Sequence, residues 1–164
     1  MNVDVYFEIC REGAKIPSYA RDGDAGMDVF SAKDVTISPG ETVVVPTGLK
    51  LAIPEGFELQ VRPRSGISLN TPLRVSNSPG TIDSGYRGEL GIIMTNTSCT
   101  CNSSDKIFDL DSKGNFKGTY RIKKGERIAQ IVLNQIPKII IKITDSVEKI
   151  GKNRNGGFGS TGLK

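Results

Sequence analysis

The sequence contains no histidine among its 164 residues. Histidine is the commonest general base in enzymes and the usual partner of a nucleophilic serine or cysteine. Both arrangements are therefore excluded, and a catalytic base must be a carboxylate, lysine, tyrosine or cysteine. Cysteine is also scarce. Cys10 lies far in sequence from Cys99 and Cys101, so neither a disulfide framework nor a four-coordinate zinc site is supported.

Long apolar runs are missing as well. No stretch approaches the ~20 apolar residues that a membrane span requires. The first residues alternate like a strand and lack the basic and apolar regions of a signal peptide. The net charge is +4, but lysine and arginine form no dense tract. We therefore expect a cytoplasmic protein with no membrane or nucleic-acid partner, whose positive excess suits a small polyanion.

Helical periodicity is nearly absent, whereas 19 glycines and 8 prolines separate many short β-rich runs. This pattern predicts an all-β protein. Strands are expected at residues 43–45, 49–53, 57–62, 128–133 and 139–143, the last being the final strand of the chain. The only helix expected is a short turn at residues 67–71 that ends at Pro72.

The length of the chain suits one hydrophobic core. We expect a single β domain over residues 1–148, followed by a polar, glycine-rich and flexible arm at residues 149–164. Residues 96–118, here called the insert, are polar and rich in turn residues. We expect the insert to be an exposed loop or hairpin.

The most informative segment is residues 77–90, with the sequence N-S-P-G-T-I-D-S-G-Y-R-G-E-L. Pro79-Gly80 is a turn dipeptide in which glycine is free to take a positive φ, and it predicts a tight β-hairpin. Backbone groups near the tip would stay unpaired and could read the edge of a base. Asp83 on a strand would point to the face opposite Ile82. The segment predicts a nucleoside pocket, although an Asp-Ser-Gly turn that only caps a loop explains it equally well.

Three further positions offer groups for an anion or a metal. Arg64-Ser65-Gly66 follows a strand and combines an arginine fork, a hydroxyl and a bare glycine amide, which fits a phosphate cradle or a surface turn. Asp28 follows a small-residue turn, which fits the shell of a hydrated Mg²⁺ or an ordinary strand start. Gln130 interrupts an apolar run, so its amide should have a hydrogen-bond partner.

The C-terminal residues 156–162 read G-G-F-G-S-T-G. Glycine amides there can wrap around an anion while Phe158 covers a base. Composition alone favours a disordered tail for the same residues.

The order of these segments carries a resemblance to a known family. The five motifs, in chain order, are A-G-M-D-V, P-R-S-G, N-S-P-G-T-I-D-S-G-Y-R-G-E, G-E-R-I-A-Q-I-V and G-G-F-G-S-T-G. They resemble the five ordered motifs of the trimeric dUTP pyrophosphatases (dUTPases), from about Pro17 to Gly162. The resemblance implies a jelly-roll-like domain of the β-clip type. It also implies a homotrimer with three active sites at subunit interfaces, each closed by a C-terminal arm.

The resemblance further implies a reaction and a role for each matching residue. Water would attack the α-phosphorus of dUTP with the help of Mg²⁺, giving dUMP and pyrophosphate. Asp83 would hold the 3′-OH and orient the water, and Asp28 would contact the Mg²⁺ shell through water. The residues implied to bind uracil and sugar are Asn77, Gly80, Thr81, Ile82, Tyr86 and Phe158. The residues implied to bind the phosphates are Arg64, Ser65, Gly66, Gln130, Gly159, Ser160 and Thr161.

One position departs from the pattern. The family usually places arginine five residues before the phenylalanine of the last motif, where this chain has Asn153, and Arg154 stands where glycine is usual. Whether Arg154 reaches the γ-phosphate from there stays open. Two alternatives also stay open: a related dCTP deaminase-type enzyme, and a trimeric regulatory protein gated by nucleotide. The insert would be the docking surface for a protein partner.

Overall fold

Short strands make up most of the structure, a computed structural model that describes residues 2–102 and 104–153 and, for residues 102, 104 and 105, the backbone alone. The strands are β1 (Tyr6–Ile9), β2 (Ser18–Tyr19), β3 (Met27–Phe30), β4 (Val35–Ile37), β5 (Thr42–Pro46), β6 (Leu49–Ala52), β7 (Phe57–Arg62), β8 (Leu73–Val75), β9 (Gly80–Ile82), β10 (Gly91–Asn96), β11 (Ser104–Asp109), β12 (Gly118–Ile122) and β13 (Arg127–Gln135). One α-helix, α1 (Ser65–Asn70), lies among the described residues, with 3-10 turns at Thr100–Asn102 and Val147–Lys149. The predicted all-β class with one short helix is confirmed. None of the helices in this part of the chain is long and apolar enough to span a membrane.

Within the described residues the strands form four sheets. Their strand orders are β1-β6, β5-β10-β8, β11-β12-β4 and β2-β3-β13-β7-β9. In the largest sheet every neighbouring pair is antiparallel. Its central strand β13 places Gln130 between Asp28 of β3 and Arg62 of β7. The sheet therefore brings the first, second and fourth motifs side by side.

Alternation of apolar and polar residues decides which face of each strand is buried. In β7, Leu59 and Val61 lie in the core, whereas Arg62 faces solvent. Ile92 and Met94 of β10 are fully buried in the same core. Burying a side chain of this size contributes ~1.5–3 kcal/mol of transfer free energy. The packed core holds the sheets together and so fixes the strand ends, where the motif residues lie.

The final strand predicted at residues 139–143 is wrong. The isoleucines of this segment are exposed to solvent, and none of the described strands includes them. The β-branched residues have a high strand propensity, which is why the sequence predicts a strand. A strand also needs a neighbour for its backbone N–H and C=O groups, and the described part of this chain provides none at that position.

The hairpin predicted around Pro79-Gly80 is wrong in its pairing. β8 pairs with β10 while β9 pairs with β7, so the two arms belong to different sheets. The Ser78-Pro79 peptide bond is cis, and Gly80 does not have the positive φ that the turn dipeptide predicts. A Cβ on Gly80 would lie 3.1 Å from the amide nitrogen of Asn77 and 3.3 Å from Cβ of Val61. Glycine is needed there for close approach rather than for its φ.

The insert contains more regular structure than the predicted loop or hairpin. Its strand β11 pairs in parallel with β12. At its base, the fully buried side chain of Asn96 donates to the carbonyl oxygens of Ile37 and Gly118 at 2.9 and 2.8 Å. Phe108 stacks on Phe116, with ring centroids 5.0 Å apart. The insert therefore has a fixed base and a small apolar contact. Only a few residues form them, so the polar average composition of the segment does not reveal them.

Candidate active site

A buried carboxylate organises the motif residues of the largest sheet. Asp28 is 7% exposed, and its Oδ1 accepts a hydrogen bond from Nε of Arg64 at 2.9 Å. Nε2 of Gln130 donates to the same oxygen at 3.4 Å, and Nε of Arg127 lies 3.4 Å from Oδ2. The partner that Gln130 requires is therefore Asp28. Three residues predicted to belong to one site, Asp28, Arg64 and Gln130, do come together.

Arg127 is a member of this cluster that sequence reasoning missed. In a regular strand Arg127 and Gln130 would point to opposite faces, because they are three residues apart. The pairing of β13 with β3 shifts register between Arg127 and Ala129, so that Arg127 lies opposite Phe30. This bulge turns Arg127 to the face of Asp28. The one signal in the sequence that could have identified Arg127 is its position within the motif G-E-R-I-A-Q. The alternation of residues along a strand would place Arg127 on the face opposite Gln130.

A cleft of about 470 Å³ opens beside the cluster. Arg64 and Gly66 line one part of it, and Arg127 lines another. A Cβ placed on Gly66 would meet no atom within 4 Å, so the backbone of the second motif faces open space. Ser65 is exposed at the same place, at the start of α1. The arrangement leaves the predicted phosphate-binding residues open to a ligand.

The third motif forms an exposed turn that follows β9. The N–H of Tyr86 donates to the carbonyl oxygen of Asp83 at 3.0 Å, which closes a turn over Ser84 and Gly85. Asp83 thus leaves the strand, contrary to the expectation that it points across a β-strand from Ile82. Both Asp83 and Tyr86 are exposed, Tyr86 by 41%. Their side chains are available to a ligand from the same turn.

The ring of Tyr86 is held by the residues that follow it. Its hydroxyl donates to the carbonyl oxygen of Glu89 at 2.8 Å. A Cβ on Gly88 would lie 2.5 Å from that hydroxyl, so only glycine leaves room for the ring. The Glu89 carboxylate accepts hydrogen bonds from Arg11 at 2.7 Å and from the Gly48 N–H at 2.9 Å. The Arg11 guanidinium and the Gly48 N–H together hold the pKa of Glu89 below its usual value.

Strand β9 and Asn77 present polar groups at the edge of the largest sheet. β9 is an edge strand, so one side of the Thr81 backbone lies outside the ladder that pairs β9 with β7. Asn77 is exposed and lies over buried Gly80. Unpaired backbone groups beside a polar amide can read the edge of a base, as the sequence predicts for this segment.

The two halves of the predicted site do not share one cleft within the described chain. The cleft beside Arg64 is bordered by neither Asp83 nor Tyr86. Arg154, Phe158, Gly159, Ser160 and Thr161 lie outside the described residues. In the described part of the chain, the residues predicted to bind the phosphates and those predicted to bind the nucleoside therefore lie at separate places, called below the phosphate half and the nucleoside half.

Comparison with known proteins decides the family. The dUTPase family model matches residues 12–110 and 113–162. The chain belongs to the dUTPase family. Deoxyuridine 5′-triphosphate nucleotidohydrolase of Clostridium tetani is 41% identical over 155 residues, covering 94% of both chains. The enzyme of the same name from Alkaliphilus metalliredigens is 40% identical over 151 residues, covering 92% of both chains.

Solved dUTPase structures confirm the predicted fold type. The structure of a mutant Staphylococcus bacteriophage 80alpha dUTPase with dUpNHpp superposes with a TM-score of 0.87 at 32% identity, covering 98% of this chain and 99% of that one. A dUTPase of the Staphylococcus aureus phage phi11 gives a TM-score of 0.79 at 31% identity, covering 88% and 99%. That phage protein coordinates a structural Mg(II) ion. The jelly-roll-like β fold of the dUTPase type is thus established for this chain.

The residues around Asp28 are compatible with a Mg²⁺ ion that binds through the phosphates of a substrate. Each carboxylate oxygen of Asp28 faces an arginine, at 2.9 and 3.4 Å, and these two cations disfavour a directly bound metal ion beside it. In the described part of the chain, no three His, Cys, Asp or Glu side chains come together as a metal-binding group. Mg²⁺ keeps several waters and commonly binds through phosphates, which suits contact with Asp28 through water.

Proposed function

We propose that the protein hydrolyses dUTP to dUMP and pyrophosphate. The observation that carries the proposal is the family match over residues 12–110 and 113–162, combined with the meeting of three motifs around Asp28. Curated relatives that share 40–41% identity with this chain bear the name of this activity. Purified protein with Mg²⁺ should release pyrophosphate from dUTP in preference to the other deoxynucleoside triphosphates. Equal release from all of them, or none from dUTP, would overturn the proposal.

We assign the nucleoside half to uracil and deoxyribose. The β9 backbone, Ile82 and Asn77 would hydrogen-bond and contact uracil, and Tyr86 would pack on the sugar, where its anchored ring leaves no room for a 2′-OH. A pocket that only lacks space for one methyl group discriminates by ~1–3 kcal/mol. Fixed hydrogen bonds from β9 would therefore have to reinforce the rejection of thymine, by holding the base where its methyl group has no space. UTP and dTTP are the competitors that test this assignment.

The chemistry we propose needs no histidine and no covalent nucleophile. Asp83 orients a water molecule for in-line attack on the α-phosphorus, and positioning of this kind can supply several kcal/mol of the barrier reduction. Arg64, Ser65, Gly66 and Gln130 hold the phosphate chain. When Mg²⁺ is bound it neutralises the triphosphate, with Asp28 touching only its water shell. Asp83→Asn should keep nucleotide binding and lose most turnover, and full turnover in that variant would contradict the role given to Asp83.

We propose a homotrimer whose active sites combine residues from different subunits. The separation of the two halves supports this arrangement. A second support is the exposed segment at residues 139–143, where Ile140, Ile141 and Ile143 are 80, 85 and 98% exposed. Monomeric proteins rarely leave such a contiguous apolar surface in water. Light scattering should give three times the chain mass of 17.7 kDa, and an active monomer would contradict the proposal.

We propose that residues 1–148 form the domain and that residues 149–164 form an arm over the site, with Phe158 on uracil and Arg154, Gly159, Ser160 and Thr161 around the γ-phosphate. Truncation after residue 148 should then abolish turnover while leaving the oligomer intact. The free thiols of Cys10, Cys99 and Cys101 fit action in the reducing cytoplasm.

We propose that the insert docks a protein partner. Ile107 and Phe116 of the insert are 59% and 47% exposed, which gives it apolar groups at the surface. Solved relatives include a phage dUTPase whose structure visualised a species-specific insert. Ile107→Ser should weaken capture of a partner without changing dUTP turnover. Equal capture by the wild type and the variant would contradict this role.

A further inference from the structure

The insert and the phosphate half of the site share one cleft. Lys113 and Asp111 of the insert line the same opening of about 470 Å³ as Arg64, Gly66 and Arg127. The insert therefore does not stand apart from the site. Its turn after β11 forms part of the wall opposite the second motif.

This wall is fixed to the helix that carries the second motif. The N–H of Asn115 donates to the carbonyl oxygen of Asn70, at the end of α1, at 2.8 Å. A turn at the end of β11 is closed by the Ser112 N–H, which donates to the carbonyl oxygen of Asp109 at 3.0 Å. Lys113 is thus held between two backbone anchors, one on each side of it in sequence.

Ion pairs at the end of β11 also hold this turn in place. The Asp109 carboxylate contacts Arg121 at 2.9 Å and Lys123 at 2.7 Å. These two cations lower the pKa of Asp109 to about 2, so the contacts persist at any physiological pH. The backbone that carries Lys113 consequently has a defined place relative to Arg64.

The charges around the cleft depend on Lys113. Three cations, Arg64, Arg127 and Lys113, and two carboxylates, Asp111 and Glu126, line it. Arg64 and Arg127 are both paired with Asp28, whereas Lys113 makes no ion pair with another described residue. Arg64 and Arg127 are balanced in the lining by Asp111 and Glu126, so Lys113 gives the lining its one net positive charge. An anion entering the cleft would therefore be attracted mainly by Lys113.

We propose that Lys113 is a further substrate-binding residue, which contacts the phosphates of dUTP that are distant from the sugar. This inference rests on the function proposed above. It goes beyond that function in giving the insert a direct place in substrate binding. The cleft takes the phosphate end of the substrate because the residues assigned to the nucleoside, Asp83 and Tyr86, lie outside its lining. Asp111 lies on the same wall of the cleft as Lys113, and its negative charge weakens the attraction of Lys113 for the phosphates.

The test compares four variants of the insert in the full-length protein. Lys113→Ala should raise the KM for dUTP by about fivefold at low salt, the effect of one unit charge at about 4 Å in water. Asp111→Asn should lower the KM by a similar factor. Lys117→Ala removes the same charge from an exposed position of the insert that does not line the cleft, and it should leave the KM unchanged. As a rescue, Lys113→Arg should restore the wild-type KM.

Product inhibition separates a phosphate contact from a general effect. dUMP lacks the two distant phosphates, so its inhibition constant should be the same for wild type and Lys113→Ala. Added salt should shrink the difference in KM, because Debye screening weakens exposed charges. An unchanged KM in Lys113→Ala, an equal rise in Lys117→Ala, or a parallel loss of dUMP affinity would overturn the inference. Absence of dUTP hydrolysis by the wild type would instead overturn the proposed function.

Discussion

Replacing Asp28 with asparagine should destabilise the protein by about 2–3 kcal/mol, because it removes a buried negative charge that two arginines share. The carboxylate is 7% exposed, whereas Arg64 and Arg127 are 27% and 55% exposed at their side chains. The arginines keep some contact with water, so the loss stays below the 3–5 kcal/mol typical of breaking a fully buried pair. For a chain of this length the melting temperature should fall by roughly 4–12 °C.

The structure also ranks the two arginines. Arg64 donates to Asp28 over 2.9 Å from a half-buried position, and a charge-assisted hydrogen bond of this kind contributes ~1.5–3 kcal/mol. Arg127 lies 3.4 Å away and is more exposed, so its coupling to Asp28 should stay below about 1 kcal/mol. The expected order of coupling energies is therefore Arg64 first and Arg127 second.

Double-mutant cycles with urea unfolding measure these couplings. The variants are Asp28→Asn, Arg64→Ala, Arg127→Ala and the two pairs, all at one protein concentration because the stability of an oligomer depends on it. Asp22→Asn is the matched control, since Asp22 is exposed, and it should change stability by less than ~0.5 kcal/mol. A larger coupling for Arg127 than for Arg64, or an Asp28→Asn variant as stable as the control, would refute the reasoning.

Three further changes test other parts of the structure. Glu89→Gln should lower the melting temperature at pH 7, and the difference from wild type should shrink as the pH falls below about 4.3, because the lowered pKa of Glu89 gives stability that is present above that pH and lost as the pH falls through the folded value. Melting curves over this range of pH check this, and a difference that stays the same at every pH would contradict it. Gly88→Ala should push the Tyr86 ring from its place and reduce the preference for dUTP over UTP, measured as a ratio of kcat/KM values. Asn96→Ala should cost about 2–4 kcal/mol of unfolding free energy, because it leaves the carbonyl oxygens of Ile37 and Gly118 without their donor. Urea unfolding that matches the wild type would contradict this last expectation.

Local patterns in the sequence predicted much of the fold. The alternation of Phe57, Leu59 and Val61 with polar residues gave the strand that became β7, and Pro72 correctly marked the end of the helical turn. These features depend on neighbours in the chain. The order of the motifs added the expectation that Asp28 and Gln130 belong to one site, because residues that serve one ligand must meet in space whatever their separation in sequence. Their direct hydrogen bond is a finding of the structure.

The sequence did not predict the features that depend on pairing between distant segments of the chain. The segment at residues 139–143 has strand propensity but no strand to pair with in the described chain. The two segments beside Pro79 have the sequence pattern of a hairpin, but β8 pairs with β10 and β9 pairs with β7 in a different sheet. Arg127 reaches Asp28 only because β13 bulges, and no periodicity reveals a bulge. In each case the hydrogen-bonding partner, not the local propensity, decides the outcome.

The register of β7 and β9 bears on whether one chain can complete a site. Ile82 pairs with Leu59, so Asp83 lies near that end of β7, while Arg64 lies five residues beyond Leu59. β7 ends at Arg62, roughly 10 Å along the strand from Leu59, and Arg64 follows at the start of α1. Asp83 leaves β9 at the other end and does not line the cleft beside Arg64. Asp83 should therefore act on a substrate bound by the phosphate half of another subunit.

Mixing two inactive variants checks this consequence. Gln130→Ala impairs the phosphate half and Asp83→Asn impairs the nucleoside half, so each homotrimer should be nearly inactive. Trimers reassembled from an equal mixture should regain about a quarter of wild-type turnover, since that share of sites receives both intact residues by chance. A mixture as inactive as its parents would mean that Asp83 and Gln130 serve the same substrate from one chain. The proposed homotrimer predicts the regained turnover instead, because Asp83 does not line the cleft beside Arg64 in its own chain.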